Sequence, residues 1–218
     1  MRDFRLVLSP SRIVTWMSAM AILASCSSRV VQYDHLVGPL PYQGTHTVGI
    51  ATLDKRTAVI DGSRKPDFVG YLRSAVGVAW PIGTKSKMSL SDDFSSSIAA
   101  TLARKGYKTK ELKTEPSQST DEVTTRLVNS GGDRLLLVVM KQWATDGYGD
   151  QALDCDLEIY VLDTQGNKLA TNSYLVSQKR FGGNWATGAG RYKEYTPIAV
   201  RNELGLMLSL EDIRAALE

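Results

Sequence analysis

The sequence is poor in the residues that build reactive centres. It has two cysteines, two histidines and four phenylalanines among 218 residues. His35, His46 and one free cysteine are too few for a zinc site, and no metal or cofactor is expected, although carboxylate-only sites stay open. No serine or cysteine stands in a recognisable pattern with a base, and the phosphate-loop form GxxxxGK[ST] is absent. Charge of one sign is scarce too. The net charge is +3, and the first 25 residues, with Arg2, Arg5 and Arg12 against Asp3, account for +2 of it. The rest of the chain balances to +1, and its basic residues form only short pairs such as Lys85 with Lys87 and Arg104 with Lys105, which read as solvated surface. Nucleic-acid binding needs a concentrated basic face, and none is present. No apolar run reaches the roughly 20 residues of a membrane-spanning helix.

What is present begins at the N-terminus. Three arginines precede a mostly apolar run of eleven residues, Ile13 to Leu23, within the roughly 7–15 residues of a signal h-region. Leu23-Ala24-Ser25-Cys26 follows. That tetrapeptide resembles the lipobox of bacterial lipoproteins. The resemblance implies recognition of Leu23, Ala24 and Ser25 by the lipoprotein signal peptidase. It also implies cleavage before Cys26, diacylglycerol on the Cys26 thiol and acylation, commonly by palmitate, of the new amine. Two or more acyl chains give stable attachment where one does not. Ser27, in place of aspartate, resembles the sorting pattern of outer-membrane rather than inner-membrane lipoproteins. The expected partner is therefore the membrane, through the lipid on Cys26, with the domain facing the periplasm. With Cys26 so used, no disulfide framework is available within the chain.

Residues 1–25 are expected as signal peptide, 26–45 as lipidated N-terminus and flexible tether, and 46–218 as one globular domain of ordinary size. The tether reading rests on Ser27, Ser28, Gly38, Pro39, Pro41 and Gly44 and on the absence of a sustained period. Within the domain, His46–Leu53 reads as a strand apolar on both faces. Phe68–Val78 reads as a second, ended by Trp80-Pro81. Leu90, Phe94, Ile98 and Leu102 form one helical stripe, capped by Ser89 or Ser91 and stopped at Gly106. Tyr107–Leu112 is a short strand. Ser119-Thr120-Asp121-Glu122 has the form of a capping box. Arg134–Thr145 reads as a central strand. Leu153–Asp163 alternates cleanly, with Thr164-Gln165-Gly166-Asn167 turning it into Lys168–Arg180. Thr196-Pro197 reads as the start of a last helix, with a break at Ser209. The order β, β, α, β, α, β, β, β, α specifies an α+β fold, a single mainly antiparallel sheet with helices packed on one face.

Few residues attract functional attention. Cys155 alternates in phase with Leu157, Ile159 and Val161, so it is expected as a buried structural thiol. Asp154, Asp156 and Glu158 share one strand face. Hydrolytic pairs oppose carboxylates across a cleft, so this row reads as the wet face. Gly182, Gly183, Gly188 and Gly190 make a glycine-rich stretch read as a mobile loop, and Trp185 within it is the candidate binding anchor. Trp80, Trp143, Tyr148, Tyr192 and Tyr195 could line a groove with it, although Trp143 on a central strand reads as core.

Several segments carry a broader likeness: the first strand, Trp80 to Thr84, the helix ending Leu102 to Tyr107, Arg134 to Trp143, and Leu157 to Gly166. In order and spacing, over roughly residues 46 to 217, they are similar to uncharacterised Gram-negative lipoproteins of the YajG type. They resemble more distantly the auxiliary lipoproteins of envelope transport systems. The resemblance brings no catalytic residues. It implies a non-enzymatic binding or accessory module of a cell-envelope complex. An envelope hydrolase with a dispersed site, or a carrier of a lipid or small ligand, is the alternative. Oligomeric state is left open.

Overall fold

The computed structural model describes residues 29–74, 76–148, 150–182 and 191–218. Among them are eight strands in one curled sheet and five helices, so the fold is α+β. The strands are β1 (Val30–Val31), β2 (Thr47–Asp54), β3 (Phe68–Arg73), β4 (Ala79–Thr84), β5 (Lys108–Glu111), β6 (Arg134–Tyr148), β7 (Asp150–Leu162) and β8 (Lys168–Arg180). The helices are α1 (Thr57–Ile60), α2 (Leu90–Ala103), α3 (Thr120–Ser130), α4 (Tyr192–Leu208) and α5 (Glu211–Leu217).

The fifteen-residue β6 is the spine. On one edge it pairs antiparallel with β7 from Leu135↔Leu162 to Tyr148↔Asp150, and β8 continues the meander. Its other edge is shared between two parallel partners. β2 takes the first half, Val48↔Arg134 to Asp54↔Met140. β3 takes the last turn, Gly70↔Thr145 to Leu72↔Gly147. Antiparallel pairing supplies the two longest ladders. Shorter parallel ladders add β5 to β2 and β1 to β4. Gly70 permits the crossing at β3, where φ is +148° and a Cβ would lie 2.0 Å from the Thr145 carbonyl oxygen.

A bulge at Lys141 keeps the core in phase. Met140 faces Leu157, yet Gln142 faces Asp156, so one residue of β6 is extra. The slip brings Trp143 onto the face of Cys155, Leu157 and Ile159. There Trp143 is 2% exposed, meets Phe94 edge-on at 5.0 Å and donates its indole N–H to the Tyr33 hydroxyl at 3.1 Å. The stripe Leu90, Phe94, Ile98 and Leu102 of α2 packs on this face, together with Leu204, Met207, Ile213 and Leu217 of α4 and α5. Burying each such side chain contributes on the order of 2 kcal/mol. The reciprocal Ser119–Glu122 capping box opens α3, which lies on the opposite face, so the helices cover both faces of the sheet rather than the one expected. Its Val123 and Leu127 cover Leu53, Leu135 and Leu137. No helix among the described residues is long and apolar enough to cross a membrane.

Three further expectations need correction. Residues 29–45 are not a flexible tether. Val31, Tyr33, Leu36, Leu40 and Tyr42 are buried in the main core, and the backbone is held by helix hydroxyls. The Leu36 amide donates to Ser97 Oγ and the Gly38 amide to Thr101 Oγ1, each at 2.9 Å. The Tyr42 hydroxyl donates to the Leu208 carbonyl at 2.8 Å. This strap passes so close to α4 that a Cβ on Gly205 would fall 2.4 Å from the Pro39 carbonyl oxygen. The folded body therefore reaches back to residue 29, not 46.

Secondly, Trp80-Pro81 does not end a strand. It lies inside β4, the return strand of a hairpin closed by the Ser74 amide donating to the Val78 carbonyl. The Gly83 amide donates to the carbonyl of Arg29, the residue just before β1, so the Pro81 nitrogen, two residues earlier, points to the same side. There β1 is no longer paired, and no amide is needed.

Thirdly, Thr196-Pro197 does not open the last helix. That helix starts at Tyr192, whose buried ring carries a hydroxyl bonded to Thr145. This tertiary anchor extends the helix one turn beyond the local cap signal.

Candidate binding end of the sheet

One end of the sheet brings together three exposed large hydrophobic residues, Val76, Val78 and Tyr148, with the half-buried Trp80 and Phe181. Trp80, Leu72, Gly147 and Gln151 form a transverse row through the pairs Leu72↔Trp80, Leu72↔Gly147 and Gly147↔Gln151. Beyond the row lie the turns joining β3 to β4 and β6 to β7. Phe181, just past β8, continues it, its amide donating to the Gln151 carbonyl at 2.9 Å. Val76, Val78 and Tyr148 project at this end, with exposures of 85%, 51% and 57%. The Arg29 guanidinium lies over the Trp80 ring, 5.4 Å from its centroid.

A shallow open cleft of about 430 Å³ lies between the two turns, lined by Arg73, Gly77, Asp146, Tyr148, Asp150 and Arg180. Its charges are compensated. Arg73 Nε reaches both Asp146 oxygens at 2.9 Å and Nη2 one of them at 2.8 Å. These bonds raise the guanidinium pKa above its ordinary value. Arg180 pairs with Asp150. Asp154 accepts the Gln178 amide at 2.8 Å and its side-chain nitrogen at 2.6 Å. The cleft offers apolar tips, an aromatic ring and paired charges, a set suited to contact with another surface.

The residues singled out from sequence separate into distinct places. Leu23, Ala24, Ser25, Cys26 and Trp185 lie outside the described residues. Of the proposed groove aromatics, Trp143 and Tyr192 are core, at 2% exposure each. Trp80 and Tyr148 are at the sheet end. Tyr195 packs on Gly182, where a Cβ would be 3.2 Å from its ring, and accepts from Arg191 at 2.6 Å. Of the carboxylate row, Asp154 is tied to Gln178. Glu158 is tied to Lys141 at 2.5 Å and to the Tyr160 hydroxyl at 2.9 Å, and the Lys141 bond leads in holding its carboxyl below the usual range.

Cys155 is 1% exposed, free, and its thiol is pushed up to about 12, mainly by burial. The histidines are engaged elsewhere. His35 Nδ1 lies 2.9 Å from Ser96 Oγ, and His46 Nδ1 lies 3.9 Å from Asp133 Oδ2.

Two features escaped the sequence reading. One is the His35–Ser96 contact, part of a polar cluster with Asp93. Asp93 is 3% exposed, accepts the Ser86 hydroxyl on both oxygens at 2.8 Å, and is raised by burial to about 6. Its carboxylate partner is Ser86 rather than the imidazole, and the cluster fastens the strap to α2. The other is the strap itself. Its signal was the run Ser95-Ser96-Ser97 in an apolar helix, all three buried. Buried hydroxyls require partners.

Neither a protein-family model nor a curated protein matches the chain. Among solved structures, it is similar to protein XCC0632 from Xanthomonas campestris, described by the family model DUF330. That match has a TM-score of 0.47 at 12% identity, over 83% of this chain and 88% of the other. It is also similar to a PelC dodecamer from Paraburkholderia phytofirmans, with a TM-score of 0.38 at 12% identity over 79% and 91%. A third is the hypothetical protein CT253 from Chlamydia trachomatis, with a TM-score of 0.34 at 13% identity over 79% and 94%.

Proposed function

We propose that this chain is a bacterial lipoprotein of the YajG-like kind. It is held at the outer membrane by lipid on Cys26 and presents its domain to the periplasm as a non-enzymatic accessory module of an envelope complex. The observation that carries the reading is the sequence Leu23-Ala24-Ser25-Cys26 at the end of an eleven-residue apolar run behind three arginines. Small residues before the cysteine suit a narrow peptidase site, and the thiol is the only strong nucleophile nearby. The sheet end supports the module reading, since it offers exposed Val76, Val78 and Tyr148 beside charge pairs.

The test is mass spectrometry of the mature N-terminal peptide from producing cells, with in-cell crosslinking, for the native chain and for Cys26→Ala. The expected result is a peptide starting at an acylated Cys26, with a stoichiometric envelope partner weakened in the variant. An unmodified thiol at position 26 would remove the lipoprotein reading. Lipidation without any captured partner would remove the accessory role.

A further inference from the structure

We propose that the sheet end bearing Val76, Val78, Trp80 and Tyr148 rests on the bilayer that holds the Cys26 lipid, so that the anchored domain stands in one fixed orientation rather than swinging on a tether. The inference rests on the lipoprotein reading of Cys26 and adds where the domain meets the membrane.

The first argument is length. Only Ser27 and Ser28 separate Cys26 from Arg29, where the folded body has already begun. Three residue steps span at most about 11 Å. The headgroup layer on each side of a bilayer is roughly 5–8 Å thick. A cysteine whose acyl chains enter the hydrocarbon therefore keeps Arg29 within or just above the headgroups. A twenty-residue tether would have allowed any face to turn inward; three steps do not.

The second argument is direction. β1 runs parallel to β4, with Val30 opposite Gly83 and Val31 opposite Thr84. The Gly83 amide donates to the Arg29 carbonyl at 3.1 Å. The chain thus enters β1 from the side of Ala79, the end of β4 that adjoins the turn closed between Ser74 and Val78. The anchor approaches the same sheet end that carries the exposed apolar tips.

The third argument is chemistry. Val76 is 85% exposed on a turn, an unfavourable place for a β-branched apolar residue in water. Tyr148, 57% exposed, lines the same cleft as Gly77. Trp80 carries Arg29 over its ring. Tryptophan, tyrosine and arginine with short apolar tips are what the membrane–water boundary favours. The acidic groups here, Asp146 and Asp150, are neutralised by Arg73 and Arg180, so they do not repel anionic headgroups. The turn between β7 and β8, with exposed Gln165, is at the far end of the meander and serves as the aqueous reference.

The test uses the full lipidated protein in vesicles of phosphatidylethanolamine and phosphatidylglycerol. A nitroxide is attached to Val76→Cys, Val78→Cys or Gln165→Cys. Cys26 is blocked by its lipid and Cys155 is buried, so labelling is confined to the introduced thiol. Mass spectrometry first establishes the acylated Cys26. Labels at 76 and 78 are expected to collide with oxygen in preference to a water-soluble nickel chelate, and the label at 165 to show the reverse. Acylated protein with all three labels in water overturns the seating and leaves the lipoprotein reading standing. Labels at 76 and 78 shielded from both reagents, with spin–spin broadening between molecules, overturn it in favour of a second copy on this surface. A free thiol at position 26 overturns both.

Discussion

Leu36 and Ser97 lie 61 positions apart, and the amide of one donates to the hydroxyl of the other at 2.9 Å. The same hydroxyl gives its proton to the Tyr33 carbonyl. One serine thus satisfies a donor and an acceptor of a buried segment that has no strand beside it. Ser97→Ala leaves both backbone groups buried and unpaired, and each such loss costs about 1–3 kcal/mol. The variant is expected to unfold at a clearly lower urea concentration with an unchanged slope. A midpoint equal to that of the native chain would mean that the strap does not contribute to the folded state.

Gly205 offers an independent check by a reversal of sign. In an exposed helix interior, alanine is more favourable than glycine by roughly 1 kcal/mol. Here the Cβ would lie 2.4 Å from the Pro39 carbonyl oxygen and 2.8 Å from the proline ring. Gly38 makes the matching approach, its own Cβ position lying 2.7 Å from the Arg201 carbonyl oxygen. Gly205→Ala is therefore expected to destabilise by about 1–3 kcal/mol, the usual cost of overpacking. Thermal unfolding measures it, and a higher melting temperature would show that the strap is not seated against α4.

The strap also marks where sequence reading stops. Cys155, Leu157, Ile159 and Val161 announce a half-buried strand because their alternation is local. The Ser119–Glu122 box announces α3 because its partners are three residues apart. The strap's partners are 61, 63 and 166 residues away, and they are side chains and a helix end rather than a ladder. Such a segment has no period, so its prolines and glycines read as a linker. Pro81 misled for a related reason. Whether a proline ends a strand depends on whether a neighbour needs its amide, and only the short reach of β1 decides that. Tyr192 shows a third route, a tertiary anchor lengthening a helix past its local cap. At the sheet end, the individual aromatics were legible as candidates. Their separation into core Trp143 and Tyr192 and surface Trp80 and Tyr148 depends on the bulge at Lys141 and on pairing across β3 and β6.

Cys155 should be chemically silent in the folded protein. Thiolate is the reactive form, and burial, aided by the Glu203 carboxylate, raises the thiol to about 12. At pH 8.5 an aromatic disulfide reagent is expected to modify Cys155 only as fast as the domain opens, and at the rate of an ordinary thiol in urea. Fast modification without denaturant would show that the β7 face is open to solvent.

Asp93 sets a pH dependence whose sign is unusual for a carboxylate. Its ordinary value is 3.8, and burial raises it to about 6 in the folded protein, with Asp34 and Asp92 adding to the rise and Ser86 and His35 opposing it. Between these values the folded state binds more proton than the unfolded chain, so stability falls as pH rises through this window. Above about pH 6 the folded protein carries a buried carboxylate that the unfolded chain would rather solvate. The full shift corresponds to at most about 3 kcal/mol. Asp93→Asn keeps an acceptor for Ser86 and removes the charge. It is expected to leave stability near pH 4 almost unchanged and to raise it at pH 7.5 by roughly 1–3 kcal/mol. Urea titrations of both proteins at the two pH values separate this residue from the other carboxylates, which titrate alike in each. A variant less stable than the native chain at pH 7.5 would mean that the carboxylate is needed in its charged form, holding Ser86 against the first turn of α2.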